Sequence, residues 1–147
     1  MTDATTTNAY LRTKVLTASP EELRLMLLDG AIRFAHMGRE GLAKRDFEQS
    51  YNGISQCRAI VMELMTSIRR EHNPELAERV HSVYVFLFNE LVNVSMEKDV
   101  ARMDKVIELL EFERETWALL MEKLRRERGG GAAAPTPEGI GSLSVQA

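Results

Sequence analysis

Four successive segments of this chain space their apolar residues in steps of three, four or seven, and no segment alternates with period two. Such spacing puts an apolar stripe along an α-helix and leaves no strand to pair, which confines the fold to packed helices. The breaks between segments carry helix-start chemistry. Ser19 is followed by Pro20 and Glu22, a capping box with proline at the first helical position. Asp46 has Gln49 three residues on, Asn73 is followed by Pro74, and Asp99 opens the last segment. The pattern predicts helices over about residues 19–38, 46–70, 74–97 and 99–128. The first ends at Gly38 or Gly41, where the glycines and "AKRD" read as a turn, and Gly129 terminates the last. Short connections favour antiparallel neighbours, so the expected fold is all-α: an antiparallel up-down-up-down four-helix bundle of helices roughly 30 to 45 Å long.

The two ends differ in kind from the bundle. Residues 1–18 read as a flexible arm that is polar up to Ala9 and then carries Tyr10, Leu11, Val15 and Leu16. These side chains are costly to solvate as a group, which predicts an extended or briefly helical arm lying on the bundle. Residues 129–147, "GGGAAAPTPEGIGSLSVQA", are rich in Gly, Ala and Pro with hardly any charge and read as a disordered tail.

Charge and cysteine usage narrow the function. A net charge of -3 supplies no field to hold a phosphate backbone, so nucleic acid is not an expected partner. The single cysteine, Cys57, excludes an internal disulfide and a thiolate cluster for zinc, and reads as a small buried hydrophobe. No basic-then-apolar leader opens the chain and no run is long enough to span a bilayer, so the expected location is the cytosol, without membrane insertion.

Catalytic signatures are missing: no phosphate loop, no nucleophile elbow, no Cys-His pairing near in sequence. Glu108, Glu111, Glu113 and Glu115 raise the possibility of a carboxylate-bridged metal bundle. That chemistry needs Glu-x-x-His on two helices, and the sequence offers the motif only once, at Glu78 and His81, while His36 and His72 do not follow a glutamate at that spacing. The glutamates therefore read as a solvated face and the basic run at residues 123–128 as a complement to the helix dipole. No catalytic residue, cofactor or metal is expected.

What remains is an excess of apolar surface. Leu23, Leu25, Met26, Leu27, Leu28, Ala31, Ile32, Phe34, Ala35 and Met37 exceed the stripe that one buried face needs, and "VYVFLF" at residues 83–88 cannot fit on one face at all. Methionines add adaptable surface of the sort that accepts helical ligands. A homodimer seam and a groove for a foreign helix both account for this. Gly30, costly inside a helix, suggests close approach by another backbone.

"NAY" at residues 8–10, Val15, "TASPEEL" at 17–23 and "LMLLDGAIRF" at 25–34, with "LFNELVNVSMEKDVARMDKVIELLEFERETW" at 87–117, resemble the flagellin export chaperones of the FliS family. Leu28 stands where that family commonly has an aromatic residue, and the resemblance spans about residues 8–125. It implies a cytosolic helical bundle, commonly a homodimer, that binds the C-terminal segment of flagellin. Such a protein prevents premature polymerisation and helps deliver flagellin to the flagellar type III export apparatus. It further implies that the arm, through Tyr10 and Val15, occupies part of the binding surface and moves when flagellin arrives. The remaining candidate contacts are Ile54, Val61 and Met65 on the second predicted helix and Tyr84, Leu87, Phe88 and Leu91 on the third. The alternative is a self-associating helical adaptor without a flagellin client.

Overall fold

The computed structural model describes residues 2–68 and 73–130, so His72 and most of the tail lie outside it. Among these residues all regular structure is helical: α1 (Thr2–Thr17), α2 (Pro20–Lys44), α3 (Phe47–Thr66), α4 (Pro74–Glu97) and α5 (Val100–Gly130). None of the helices is long and apolar enough to cross a membrane.

Local chemistry sets the helix starts. The Ser19 hydroxyl accepts from the Glu22 amide at 3.1 Å while the Ser19 amide donates to the Glu22 carboxylate at 3.3 Å, which completes the capping box. Asp46, Asn73 and Asp99 each accept at 3.1 Å from the amide three residues on. The α2–α3 and α4–α5 turns share one solution. Arg45 (φ 60) and Lys98 (φ 55) adopt the left-handed conformation, and an aspartate cap follows each directly.

Three boundaries differ from expectation: α3 ends at Thr66 rather than near residue 70, α5 continues through Gly129 to Gly130, and the first bundle helix outruns its glycines. α2 runs through Gly38 and Gly41 to Lys44, because these glycines face α3 rather than a turn. A Cβ on Gly53 of α3 would lie 2.3 Å from the Gly38 amide nitrogen and 2.7 Å from the Phe34 carbonyl oxygen. On Gly41 it would lie 2.4 Å from the Ser50 amide nitrogen. Backbone therefore meets backbone at this crossing. Gly30, expected to mark such an approach, does not: a Cβ there would make ordinary contact with Ile60 Cδ1 at 3.4 Å.

α2 packs on α3 and α5, and α4 packs on the same two, so a single core lies between the four helices. Along α2 and α5 the paired residues run in opposite order. Glu21 meets Trp117, Asp29 meets Arg114, and Arg39 meets Asp104. Leu28, Cys57, Val61, Leu64, Leu87, Leu91, Val94, Met103 and Leu110 are fully buried in this core. The apolar breadth of α2 follows from its position, since Leu25, Leu27, Ile32 and Phe34 pack around the same core from its flanks.

At the end of the core nearest α1, Arg24 is buried with its guanidinium 5.4 Å from the Tyr84 ring centre and 5.5 Å from that of Trp117. One nitrogen donates to Ser67 Oγ at 3.3 Å, and Trp117 Nε1 donates to the Glu21 carbonyl at 2.9 Å. Aromatic faces and a hydroxyl thus replace much of the water this cation loses. The half-buried Glu113 responds to the same environment: burial pushes its carboxyl above the ordinary value of 4.5, and the charge of Arg24 only partly opposes this. The folded chain then holds that proton more tightly than the unfolded chain, so stability falls as pH rises from about 4.5 through the folded-state value. Glu113→Gln is accordingly expected to melt higher than the parent at pH 7, with the difference shrinking towards pH 4. Thermal melts at both pH values check this, and a lower melting temperature for the variant at pH 7 would show that attraction to Arg24 wins.

Candidate partner-binding faces

α1 is helical rather than extended, and it leaves its apolar side chains uncovered. Tyr10, Leu11, Val15 and Leu16 are exposed by 64%, 46%, 42% and 76%. At 100° per residue these four spread over much of the helix circumference, so no single face of α1 could bury them all. The Thr13 and Thr17 hydroxyls bond back to the carbonyls of Ala9 and Thr13, at 3.0 and 2.9 Å, within the helix itself. The expectation that the arm covers the bundle is corrected on this point.

Helix geometry separates the other candidate residues. Ile54, Val61, Tyr84, Leu87 and Leu91 are buried in the core and offer no surface in this arrangement. Met65 and Phe88 are half-buried and pack on the edge of the core. Phe47 and Tyr51, which periodicity assigns to the inward stripe of their helix, are exposed by 40% and 62%. The misassignment arises because a wide apolar stripe holds two faces, and spacing alone merges them.

Those outward residues form an ordered surface. Phe47, Tyr51, Met62 and Met65 recur at helical spacing along one side of α3, with Arg58 among them. Glu90 turns one side of α4 towards α5, where it accepts from Arg102 at 2.8 Å. Phe88, Val92 and Met96 lie on the opposite side of α4, towards α3. Lys98 Nζ sits 5.2 Å over the Phe47 ring, which fixes the start of α3 against the end of α4. The α3/α4 face therefore presents Phe47, Tyr51 and Met62 beside Phe88, Val92 and Met96. Of these Phe47, Tyr51, Met62 and Met96 are exposed, Met96 by 70%, while Phe88 and Val92 are half-buried.

A second concavity lies between the start of α2 and the end of α5, with a volume of about 690 Å³. Leu25, Met26, Ala118, Met121 and Leu124 give it apolar walls. Its rim is charged, with Lys14 of α1, Arg125 and Arg128 set among Glu21, Glu22, Asp29 and Glu122.

Neither face gathers catalytic chemistry. Glu108, Glu111 and Glu115 are exposed, and the buried Cys57 thiol is pushed up to about 12 by desolvation, which suits a packing residue rather than a nucleophile. A helical core with exposed apolar side chains on one face is the build of a protein-interaction module. The chain belongs to the FliS family: residues 2–124 match the profile described as "Flagellar protein FliS". It is 26% identical over 122 residues to the flagellar secretion chaperone FliS of Bacillus subtilis, covering 83% of this chain and 90% of that protein. It is also 26% identical over 110 residues to the flagellar secretion chaperone FliS of Campylobacter jejuni, covering 75% and 86%.

Proposed function

We propose that α2 to α5 form an antiparallel up-down-up-down bundle that acts in the cytosol as a non-enzymatic chaperone. Its client is the C-terminal segment of flagellin, held as a helix along the α3/α4 face until transfer to the flagellar type III export apparatus. The observation that carries this reading is the set of exposed Phe47, Tyr51, Met62 and Met96, with the half-buried Phe88, on a chain of the FliS family. A segment that folds on binding gives up about 2 to 5 kcal/mol in ordering, so its receptor must offer a long apolar surface. From Phe47 to Met62 the face extends over roughly 22 Å at 1.5 Å per residue, enough for four turns of a bound helix. Covering an assembly-prone segment prevents its premature polymerisation, and contact dominated by apolar area with few polar anchors permits later release.

Isothermal titration and circular dichroism with a flagellin C-terminal peptide test the proposal. A stoichiometric complex with helix gained by the peptide is expected; no complex would sink it and favour the self-associating adaptor.

The arm takes part in this reading as a movable element hinged at Ala18 and Ser19, contributing Tyr10 and Val15 to the client surface. Tyr10→Ala is expected to change peptide affinity while leaving the melting temperature nearly constant, because a side chain 64% exposed adds little to the core. Equal loss of both would make Tyr10 ordinary packing.

A further inference from the structure

We propose that the groove between the start of α2 and the end of α5 is the seat of the chain's own C-terminal segment, residues 140–145. Its walls are apolar through Leu25, Met26, Met121 and Leu124, and Met26 and Met121 keep part of their surface uncovered. The chain leaves the described structure at the mouth of this groove. Arg128 lines the rim, α5 ends at Gly130, and seventeen further residues follow.

Reach permits the seat. The ten residues from Gly130 to Ile140 extend up to about 33 Å. The groove runs back along α5 from Arg128 to Ala118, about 15 Å at 1.5 Å per residue. α5 stays helical through Gly129 and Gly130, so the reversal would fall after Gly130, and nothing lies within 4 Å of a Cβ built on Gly129 to obstruct it.

Composition selects this segment as occupant. Ile140, Leu143 and Val145 are its large apolar side chains, and Glu138 is the only charged residue between 131 and 147. Arg128 has no ion pair among the described residues, so a cation at the mouth is available to Glu138. Tethering raises the effective concentration of such a segment to about millimolar, so even weak apolar contact keeps the groove filled. α1 is the poorer occupant: only its Lys14 reaches the rim, and Tyr10 and Leu16 stay exposed. The match to the FliS profile stops at residue 124, which makes this seat an addition to the shared bundle. A filled groove would keep α1 from folding into the same space and leave the α3/α4 face untouched.

The test uses the full chain with Ser144→Cys carrying a nitroxide label. Cys57 is buried with its thiol pushed up to about 12, so the label stays at position 144. In methionine-methyl spectra we expect the Met26 and Met121 signals to be lost while Met62 and Met96 remain, and Leu143→Asp in the labelled chain to restore the lost pair. No loss at Met26 and Met121 overturns the proposal and leaves the groove to α1. Loss at Met62 and Met96 instead places the tail on the α3/α4 face and also overturns it. Loss appearing only between labelled and unlabelled copies in a mixed sample assigns the groove to the tail of a second copy and overturns it too.

Discussion

Gly53→Ala is expected to destabilise the chain by about 3 kcal/mol, the upper part of the usual range for overpacking. For a chain of this size that lowers the melting temperature by roughly 6 to 12 °C. Helix propensity alone argues the reverse, since alanine in a helix interior is favoured over glycine by about 1 kcal/mol. Geometry decides between them. The new Cβ would stand 2.3 Å from the Gly38 nitrogen and 2.6 Å from the Gly38 Cα, and both are backbone atoms that cannot rotate away. α2 and α3 would have to separate along their most extensive interface, taking Leu28, Ile54 and Cys57 out of close packing. Gly30→Ala is the internal control, because its Cβ would meet only the ends of side chains, Ile60 Cδ1 at 3.4 Å and Arg33 Nη2 at 4.0 Å. That variant should gain stability, by up to about 1 kcal/mol. Thermal or urea unfolding of the two variants gives opposite signs if the crossing is as close as described. The same sign for both would mean that the glycines matter only through backbone entropy.

The second large effect concerns binding. Combining Tyr51→Asp with Met96→Lys puts a charge on each side of the α3/α4 face, at residues 62% and 70% exposed. A flagellin peptide should lose affinity by about 30-fold or more, the equivalent of a hot spot of about 2 kcal/mol. The melting temperature should hardly move, because surface substitutions away from the core stay within about 0.5 kcal/mol. Leu91→Ala supplies the contrast. That side chain is fully buried on the same helix as Met96, and its truncation should cost about 2 to 5 kcal/mol of stability, with binding reduced only in proportion to the unfolded fraction. Full affinity in the double variant would remove the client from this face and direct attention to α1 and the α2/α5 groove.

These two experiments probe what spacing leaves ambiguous. Ser19, Asp46, Asn73 and Asp99 announce their helices because a cap is a local interaction that closes within three residues. The α5 stripe of Met103, Val106, Ile107, Leu110, Trp117 and Leu124 also reads directly, since a long helix with one buried side keeps a regular period. Phe47 and Tyr51 fall in step with Ile54 and Val61, yet the first two face solvent and the latter two the core. Glycine use is misleading for a related reason. Gly30, Gly38 and Gly41 are equivalent in sequence, but only the latter two meet the α3 backbone. Arg24 carries no signal at all: nothing in the sequence sets it apart from Arg33 and Arg39 of the same helix or gives notice that Tyr84 and Trp117, distant in the chain, will cover its charge.

The sequence by itself determined an all-helical chain with fixed helix starts, and the motifs that mark it as a member of the FliS family. These rest on caps, periodicity and short residue strings, whose physics closes within one or two turns. Only the tertiary structure decided which apolar residues are core and which are surface, where backbones cross in contact, and that the arm side chains stand uncovered. Those outcomes depend on where neighbouring helices lie around each axis, a relation between residues far apart in the chain that no local pattern encodes.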